Sequence, residues 1–527
     1  MPVLGLGGVS LPLSIRSRLG EEIGVVLSGA SSIAAPVALH SRFAGRAREE
    51  MMVAVHDQLL GASGGCASLL LGKLRFITRY EPFLRRGLPN VYVYEPSSLD
   101  SDLLTPFTNA YVEFYGVATV CFDEGDGSLR GRLEPPVYAP HPGSRVYLLD
   151  RPDVLEAVAG GSGLRVGRHP YTGWEPPIDP EALRMHVGVF GATGMGKSRL
   201  VRRLAREASR RYAVIIFDHS GVDYAPAARA QGYPVFDGSR VRLDEATIAE
   251  VLVELMDIPS SLEDYVYAAV HCHEGIVSGR YGDVRSCLSA AAGLGARRAG
   301  LPTRRAARRW TKQDFIATLV ETARALNARD STVIKLRLYA ERVPDHVYLG
   351  FGSRSIDPAD IIAEALRSRI VVVDLGSEEE IAAKRAIIAQ VVDEAWGVIH
   401  ELREPIDLAV FVDEAQHYAC EYCRPSNTRL EKIAREGRKW GLWLLVASQR
   451  FSRDIRPGIR ANLGTIFFSR LQAATDLNEL AGYLDLGNVT QASLAMLSRR
   501  QFYLAGLANP LGKPVLIEVS HVPDNGF

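Results

Sequence analysis

The stretch Gly191-Ala-Thr-Gly-Met-Gly-Lys-Ser198 decides the fold of this chain. Two glycines with four residues between them, followed by Lys and Ser, form the pattern of a loop whose backbone N–H groups surround phosphates. An apolar run at residues 187–190 precedes the loop, and a helical pattern with Leu200, Val201 and Leu204 follows it. The motif requires this order of strand, loop and helix. The sequence therefore predicts a nucleoside triphosphate site in an α/β domain.

The residue types in the loop suit the binding of ATP and Mg²⁺, which are the predicted cofactors. Glycines let the backbone N–H groups turn toward the phosphates, Lys197 reaches the β and γ phosphates, and the Ser198 hydroxyl coordinates Mg²⁺. The predicted nucleotide-binding residues of the loop are Gly191, Thr193, Gly194, Met195, Gly196, Lys197 and Ser198.

Hydrolysis of ATP also needs an acid that holds Mg²⁺ and a base that orients the attacking water, both at the end of a neighbouring strand. Two apolar runs end in an aspartate, at Asp374 and at Asp413. Leu375 follows the first, whereas Glu414 follows the second, so only the second run offers a base. We predict that Asp413 binds the metal, that Glu414 orients the water and that Asp374 is structural. The alternative for Asp413 and Glu414 is a strand-ending turn.

Two further polar residues end apolar runs. Asp218 ends the run after the loop helix, and Gln449 ends the run that begins at Leu442. Ligands of open α/β sheets bind outside the carboxyl ends of the strands. We therefore predict that Asp218 contacts the nucleotide and that Gln449 contacts the γ-phosphate or its water. The alternatives are a strand-terminal turn for Asp218 and a cap of the following turn for Gln449.

Arginines are the candidates for a cation at the charge that develops during phosphoryl transfer, often supplied by a neighbouring subunit. Arg435, Arg438 and Arg470 are such candidates, although an arginine in this arginine-rich chain is more often a solvated charge or an ion-pair partner. A cluster of six further arginines either follows a phosphate backbone or forms a solvated face. These six residues are Arg297, Arg298, Arg304, Arg305, Arg308 and Arg309.

The chain has two regions of different pattern. Residues 1–165 contain short β-prone runs between glycines and prolines, which favour a small N-terminal barrel or sandwich. These runs are at 23–27, 53–55, 67–71, 91–94, 111–119 and 145–149. Residues 166–527 alternate apolar runs with helical patterns, which predicts an α/β domain with a mostly parallel sheet, interrupted by a helical insertion at about 245–365. Its predicted strands are at 187–190, 213–217, 370–373, 408–412, 442–447, 465–468, 502–504 and 514–519.

Composition excludes several classes of protein. Of the 527 residues, 47% are hydrophobic and 23% are charged, which excludes a disordered or fibrous chain. The 61 basic and 61 acidic residues balance, so any nucleic-acid surface must be local. Apolar runs are too short to span a bilayer and no secretory signal is evident, so the chain is expected to be cytoplasmic.

Cysteine usage argues against a disulfide scaffold. Six cysteines in a chain of this length are few, and four of them are expected to be buried or incidental thiols. Cys420 and Cys423 form a CxxC pair with His417 nearby, a pattern that metal sites and redox pairs share. No second ligand pair follows at the spacing of a zinc site.

These motifs resemble the HerA group of the HerA/FtsK family of hexameric DNA translocases. The resemblance rests on His186 to Ser198, Phe217 to Gly221, Phe411 to Gln416, Arg435 to Lys439 and Ala447 to Arg450. Less specifically, Gly24 to Ser32 and Pro140 to Tyr147 are similar to the small barrel that precedes the ATPase in that family. Met195 departs from the small residue that is frequent in the loop, and Val222 separates Asp223 from the position where the family has an acid next to glycine.

The resemblance implies that residues 166–527 form a RecA-like P-loop ATPase domain. It also implies a homo-oligomeric ring, usually a hexamer, that moves double-stranded DNA through its centre with ATP. In archaea such rings act as helicases with the NurA nuclease, resecting double-strand breaks for DNA repair by homologous recombination, and the barrel would dock the nuclease. It further implies that Gln449 is a sensor, that Arg435 or Arg438 acts on the neighbouring subunit and that Arg184 is linked to the nucleotide.

Three other functions remain as alternatives. A conjugation or genome-packaging motor uses the same chemistry. A regulatory scaffold, in which ATP binding only sets ring assembly for a bound nuclease, has no use for a base at Glu414. A protein unfoldase is less favoured, because no substrate-binding or protease-docking motif is evident.

Overall fold

The computed structural model describes residues 11–60, 62–63, 65–80, 107–292, 310–519 and 526–527, and the chain divides into two compact units. The first comprises residues 1–183, 194–196 and 464–521, and the second comprises residues 184–193, 197–463 and 522–527. The first unit thus includes a late segment that the sequence analysis placed in the ATPase domain. The domain boundary near residue 165 stays a prediction.

The described residues form both strands and helices. In chain order the strands are β1 (Glu22–Val26), β2 (Ala34–Leu39), β3 (Met52–His56), β4 (Ala62–Ser63), β5 (Cys66–Tyr80), β6 (Phe107–Phe122), β7 (Leu129–Glu134), β8 (Arg145–Leu148), β9 (Gly167–Arg168), β10 (Val187–Phe190), β11 (Ala213–Asp218), β12 (Val235–Asp237), β13 (Ile370–Asp374), β14 (Leu408–Val412), β15 (Leu442–Ser448), β16 (Thr465–Phe468), β17 (Gln501–Gly506) and β18 (Val515–Val519). The helices are α1 (Leu13–Arg16), α2 (Ser41–Ala44), α3 (Asp153–Ala159), α4 (Pro180–Leu183), α5 (Lys197–Ala208), α6 (Ala225–Ala230), α7 (Glu245–Met256), α8 (Glu263–Val277), α9 (Val284–Ala291), α10 (Lys312–Ala325), α11 (Asp330–Arg342), α12 (Asp345–Ser353), α13 (Pro358–Ser368), α14 (Ile381–Leu402), α15 (Ser426–Glu436), α16 (Pro457–Arg460), α17 (Ala474–Ala481) and α18 (Gln491–Ala495). Among the described helices, none has the length and apolar character that crossing a bilayer requires.

Six antiparallel strands of the first unit close into a barrel. Their order is β5, β3, β8, β1, β2 and β6, and β6 pairs back with β5. Alternate residues of β2 are buried, as a strand with one face toward a core requires. The interior contains Val37, Val53, Val112 and Phe114. Gly24 lies so close to β2 that a Cβ there would be 2.2 Å from the Ala38 oxygen. The barrel, one of the two architectures expected for this region, is therefore present, while the β run predicted at 91–94 lies outside the described residues.

The first unit also contains four strands that pair antiparallel in the order β16, β17, β18 and β9. The strands predicted near 465, 502 and 514 are confirmed. Parallel pairing was expected for them, and for these strands that expectation is wrong. Periodicity reports that a strand is buried on both faces, but it carries no information about strand direction.

A buried ionic network joins the barrel to β17 and β18 within the first unit. The Lys73 ammonium lies 3.0 Å from a Glu50 carboxylate oxygen, and Arg75 pairs with the other oxygen. The Tyr503 hydroxyl donates to Glu50 at 3.0 Å, and Lys73 donates to the Pro514 carbonyl at 2.9 Å. Burial acts to raise the pKa of Glu50, but Lys73 and Arg75 outweigh it and the pKa is lowered. Removing one member would leave a buried charge without compensation.

His169 gives the first unit a pH-dependent stability. The ring is fully buried, with Nε2 donating to the Glu50 carbonyl and Nδ1 accepting from the Thr172 N–H. Burial lowers the pKa of His169 to about 4 from an ordinary value of 6.5. A lowered histidine pKa contributes stability that is complete above pH 6.5 and is lost as the pH falls toward 4.

We therefore expect protonation of His169 in the unfolded chain to lower the free energy of unfolding by about 2 kcal/mol when the pH falls from 7 to 5. Urea unfolding of the wild type and of His169→Asn at both values measures this cost. The variant is less stable at pH 7, but its loss of stability on acidification should be smaller by that amount. Equal losses for the two proteins would contradict the prediction.

The second unit contains a six-stranded parallel sheet in the order β12, β13, β11, β14, β15 and β10. Every pairing in it is parallel, and β14 and β15 are buried along their whole length. The registers align Phe190 with Ser448, Val446 with Val412, and Val412 with Phe217. The carboxyl ends of β10, β15, β14 and β11 therefore share one edge of the sheet. The parallel sheet predicted from the apolar runs is confirmed here.

In the sequence of the second unit, helices α7 to α13 come between β12 and β13. Their shared core includes Leu252, Val270, Leu319 and Tyr348 and continues onto α14. The helical runs expected between 245 and 365 are confirmed as helices. All six arginines of the predicted cluster at 297–309 lie outside the described residues, so both interpretations of that cluster stand as predictions.

All six cysteines are paired in disulfides, which corrects the expectation of incidental thiols. The pairs are Cys66–Cys121, Cys272–Cys287 and Cys420–Cys423. Cys66 and Cys121 lie opposite each other in the β5–β6 register, and their separation of 55 residues hides that pairing from sequence reasoning. Because Cys420 and Cys423 bond to each other, neither sulfur is a thiolate ligand for a metal. Among the described residues no cluster of His, Cys, Asp and Glu is arranged to hold a metal ion by itself.

Candidate nucleotide site

The loop between β10 and α5 has the backbone form of a phosphate-binding loop. Gly194 has a φ of +82° and Gly196 a φ of +98°, conformations that glycine adopts without steric cost. Lys197 begins α5, is 8% exposed, and donates from Nζ to the Gly191 carbonyl at 2.9 Å. Burial lowers the pKa of Lys197, and the carboxylates of Glu414 and Asp413 oppose that shift. The lysine is therefore held across the loop and within electrostatic reach of the acidic pair.

Asp413 and Glu414 directly follow β14. Asp413 is 4% exposed; its Oδ1 accepts the Glu414 N–H at 2.9 Å and its Oδ2 accepts the Tyr224 hydroxyl at 2.9 Å. Burial raises the pKa of Asp413 to about 7, although the Glu414 N–H acts to lower it. Glu414 has a left-handed backbone with φ +46°. A buried carboxylate with so high a pKa is one that a nearby cation would favour in its charged form.

Gln449 follows β15 and contacts the loop. The Thr193 hydroxyl donates to Gln449 Oε1 at 3.1 Å. Two strands of the shared edge thus place Gln449 and the acidic pair on the same side of the sheet as Lys197. Their catalytic roles remain proposals, but the structure brings together the residues that were selected from the sequence.

The Asp218 side chain binds backbone N–H groups of the segment that follows β11. It is fully buried, and its two oxygens accept the backbone N–H groups of Gly221, Tyr224 and Ala225 at 2.9 to 3.0 Å. The last two of these N–H groups lie at the start of α6, so the carboxylate caps that helix. This geometry matches the turn alternative weighed for Asp218, and its predicted contact with the nucleotide stays a prediction.

Three of the candidate arginines, Arg184, Arg435 and Arg438, lie at the opposite edge of the parallel sheet. Arg184 precedes β10 and pairs with Asp407, which precedes β14, at 2.8 Å. Arg435 is on α15, where it lies 3.5 Å from Glu431, and Arg438 precedes β15. Residues before a parallel strand lie at its amino end, whereas the phosphate loop lies at the carboxyl end. Within their own sheet these arginines therefore do not face the loop.

Four residues at or beside the site were not selected from the sequence. Tyr224 bonds to Asp413, and Gln416 bonds to Glu414. In the first unit Arg499 donates to the Gly194 carbonyl at 3.1 Å, and the Arg500 N–H donates to the Met195 carbonyl at 2.8 Å. Because the chain contains many arginines, nothing in the sequence distinguishes Arg499 and Arg500 from the others. Gln416, in contrast, directly follows the motif Asp413-Glu-Ala and could have been selected from the sequence.

The residues present fit ATP with Mg²⁺. The loop supplies glycine conformations and a buried lysine, and the acidic pair supplies oxygen ligands of the kind that Mg²⁺ takes. The fold and this loop are those of a P-loop nucleotide-binding domain.

Residues 164–395 match the family described as the central domain of helicase HerA. Among curated proteins no sequence matches the chain significantly.

Several solved structures match part of this chain at low sequence identity. VirB4 of Thermoanaerobacter pseudethanolicus is 18% identical over 69% of this chain and 98% of its own, with a TM-score of 0.49. The plasmid coupling protein TrwB, in complex with ADP and Mg²⁺, is 16% identical over 69% of this chain and 90% of its own, with a TM-score of 0.45. The genome-packaging NTPase B204 from Sulfolobus turreted icosahedral virus 2 is 10% identical over 63% of this chain and 96% of its own, with a TM-score of 0.28.

Proposed function

We propose that this protein is an ATP-driven translocase of double-stranded DNA and that it works as a hexameric ring. One observation carries the proposal: a phosphate loop, a buried aspartate and an adjacent glutamate share one sheet edge in a chain whose residues 164–395 match the central domain of helicase HerA. A binding switch has no use for the glutamate, whereas a motor that turns over ATP needs it.

Each residue at the sheet edge has a proposed task. Lys197 and the loop N–H groups bind the phosphates, and Ser198 and Asp413 hold Mg²⁺, which when bound neutralises charge on the phosphates. Glu414 orients the attacking water, and Gln449 senses the γ-phosphate from the end of β15. The lysine is already placed by its bond to Gly191, so little ordering is needed when the nucleotide binds.

The arginines at the far edge support a ring. An arginine that acts on its own subunit's nucleotide would have to lie near the loop, and Arg435 and Arg438 do not. Such residues suit a site completed by the next subunit, because a head-to-tail interface puts the amino edge of one sheet beside the carboxyl edge of another. We propose that Arg435 or Arg438 acts in this way and that Arg184 lies at the same interface.

Mixing two inactive variants tests this arrangement. Lys197→Ala supplies intact arginines, and the double variant Arg435→Ala with Arg438→Ala supplies an intact loop. We expect each alone to lose about 10³-fold in hydrolysis rate and an equimolar mixture to regain a measurable fraction. Arg367→Ala, which removes a surface arginine paired with Glu364, is the control and should keep wild-type activity. Full activity of the arginine double variant alone would contradict the prediction.

The proposed biological role is that of a helicase that acts with a NurA-type nuclease in the resection of double-strand breaks, with the barrel as the docking surface. Duplex DNA is expected to stimulate ATP hydrolysis by the assembled ring. Steady-state hydrolysis with and without duplex DNA, together with electron microscopy in the presence of a non-hydrolysable ATP analogue, is the test. If duplex DNA neither binds the ring nor stimulates hydrolysis, the proposal fails.

A further inference from the structure

Gln416 contacts the side chain of Glu414. It lies in the short 3₁₀ turn Ala415–His417, directly after the acidic pair. Its Nε2 donates to Glu414 Oε2, and its Oε1 accepts the Ser448 hydroxyl at 2.8 Å. The amide thus joins the glutamate to the last residue of β15.

The chemistry of the two partners fixes the orientation of the Gln416 amide. An ionised carboxylate only accepts hydrogen bonds, so the NH₂ group must face Glu414. The amide oxygen then faces Ser448, which has a hydroxyl hydrogen to donate. Reversing the amide would set two oxygens against each other at Glu414, and the contact would become repulsive.

The Ser448 hydroxyl is buried and has a choice of two acceptors. Asp454 Oδ2 lies 2.7 Å from it and also accepts the Arg450 N–H at 3.1 Å. One hydrogen serves either Gln416 or Asp454 at a time. The residue between Ser448 and Arg450 is Gln449, which accepts from Thr193 of the loop. The loop is therefore connected to Glu414 through the Thr193–Gln449 hydrogen bond, the peptide bond between Gln449 and Ser448, and the hydrogen bonds of Gln416.

The backbone beneath this contact is held in place. The His417 N–H donates to the Glu414 carbonyl at 3.0 Å, and the Ala419 N–H donates to the Ala415 carbonyl at 2.7 Å. Glu414 itself has the left-handed φ described above. With the backbone fixed on both sides, the direction of the Glu414 carboxylate depends on its side-chain torsions, and Gln416 is the side chain that restrains them.

We infer that Gln416 is a positioning residue for hydrolysis: it aims the Glu414 carboxylate, and Ser448 holds Gln416 in place. The inference rests on the proposed function, in which Glu414 orients the water. An amide donor restrains the carboxylate without taking up its other oxygen, which stays available to a water molecule. Because Gln416 touches neither Lys197 nor the loop, its effect should be on turnover and not on nucleotide binding.

The main test compares kcat and KM for ATP in Gln416→Ala. We expect kcat to fall by about 10- to 100-fold, as for a misplaced catalytic group, with KM and the affinity for a fluorescent ATP analogue unchanged. Gln416→Glu keeps the shape but presents an oxygen to Glu414, and its kcat should fall at least as far. Gln390→Ala is the matched control, because that amide accepts from the Asp244 N–H and does not contact the acidic pair.

A double-mutant cycle tests the link to β15. Ser448→Ala should lower kcat by about fivefold, the worth of one neutral hydrogen bond. Adding it to Gln416→Ala should lower kcat no further, because Ser448 acts on Glu414 only through Gln416. Ser426→Ala, which removes a buried hydroxyl bonded to the Tyr418 carbonyl, is the control for loss of a buried serine and should leave kcat unchanged.

The outcomes separate this inference from the proposed function. If Glu414→Gln abolishes turnover while Gln416→Ala and Gln416→Glu keep wild-type kcat, the inference fails and the proposed function stands. If Glu414→Gln turns over ATP at the wild-type rate, both fail. Additive losses in the cycle would show that Ser448 acts independently, and a rise in KM without a fall in kcat would show a binding role; either result overturns the inference.

Discussion

Lys197→Ala is expected to lower the rate of ATP hydrolysis by about 10³-fold or more. The ammonium group is buried against the Gly191 carbonyl and is the cation nearest to the acidic pair within the loop motif. Its loss removes the charge that draws the β and γ phosphates into the loop and that stabilises the negative charge of the transition state. Both KM and kcat should worsen, which steady-state kinetics and binding of a fluorescent ATP analogue measure.

Lys312→Ala is the matched control for this substitution. Lys312 lies at the start of α10, where it pairs with Asp345 at 3.2 Å on the helical segment. Because the Asp345 side chain is exposed and solvent screens the ion pair, the pair contributes little to stability, and the control should fold and hydrolyse ATP like the wild type. Wild-type hydrolysis by Lys197→Ala would mean that the loop at 191–198 is not the nucleotide site.

Glu414→Gln is expected to bind ATP with Mg²⁺ at near wild-type affinity but to lower kcat by about 10³-fold. The amide keeps the size of the carboxylate and loses the charge that orients water. Its nearest neighbour, Gln416, would then donate to an amide oxygen. Single-turnover measurements with radiolabelled ATP should find intact ATP on the protein after the wild type has converted it.

Glu421→Gln is the control, since the exposed Glu421 side chain lies on the same segment and pairs with Arg456 at 3.4 Å. A second readout distinguishes motor from scaffold. If Glu414→Gln stimulates a bound nuclease as well as the wild type does, ATP binding alone is sufficient and the translocase proposal must give way to the scaffold. Rapid turnover by Glu414→Gln would instead remove the glutamate from the catalytic set.

The sequence predicts the parallel sheet and the acidic pair well, for a physical reason. A phosphate loop needs glycines, lysine and a hydroxyl at fixed spacing, and an Asp-Glu pair that ends a buried strand downstream of such a loop suits the binding of Mg²⁺ and the orientation of water. Such patterns depend only on residues close in sequence, so they can be recognised without knowledge of tertiary contacts. Lys197, Asp413 and Gln449 accordingly lie at one sheet edge, as the apolar runs indicate. Periodicity also separates the helices between β12 and β13 from the strands around them.

Features that depend on contacts between distant residues escaped prediction. The direction of β16 to β18, the Cys66–Cys121 pairing and the bond between Tyr224 and Asp413 all join residues far apart in sequence. Asp218 shows a different difficulty, because a carboxylate at a strand end serves a ligand or a helix cap equally well on composition alone. Only the positions of the Tyr224 and Ala225 N–H groups distinguish the two.

The ionic network around Glu50 determines which fragments of this chain can be expected to fold independently. Lys73 of the barrel donates to the Pro514 carbonyl, and Glu50 accepts from the Tyr503 hydroxyl, so part of the hydrogen bonding of this network comes from residues far beyond the last barrel strand. A fragment stopping near residue 165 would lose the acceptor at Pro514 and the donor at Tyr503. Transferring this barrel to another protein would therefore require the late β segment to be included.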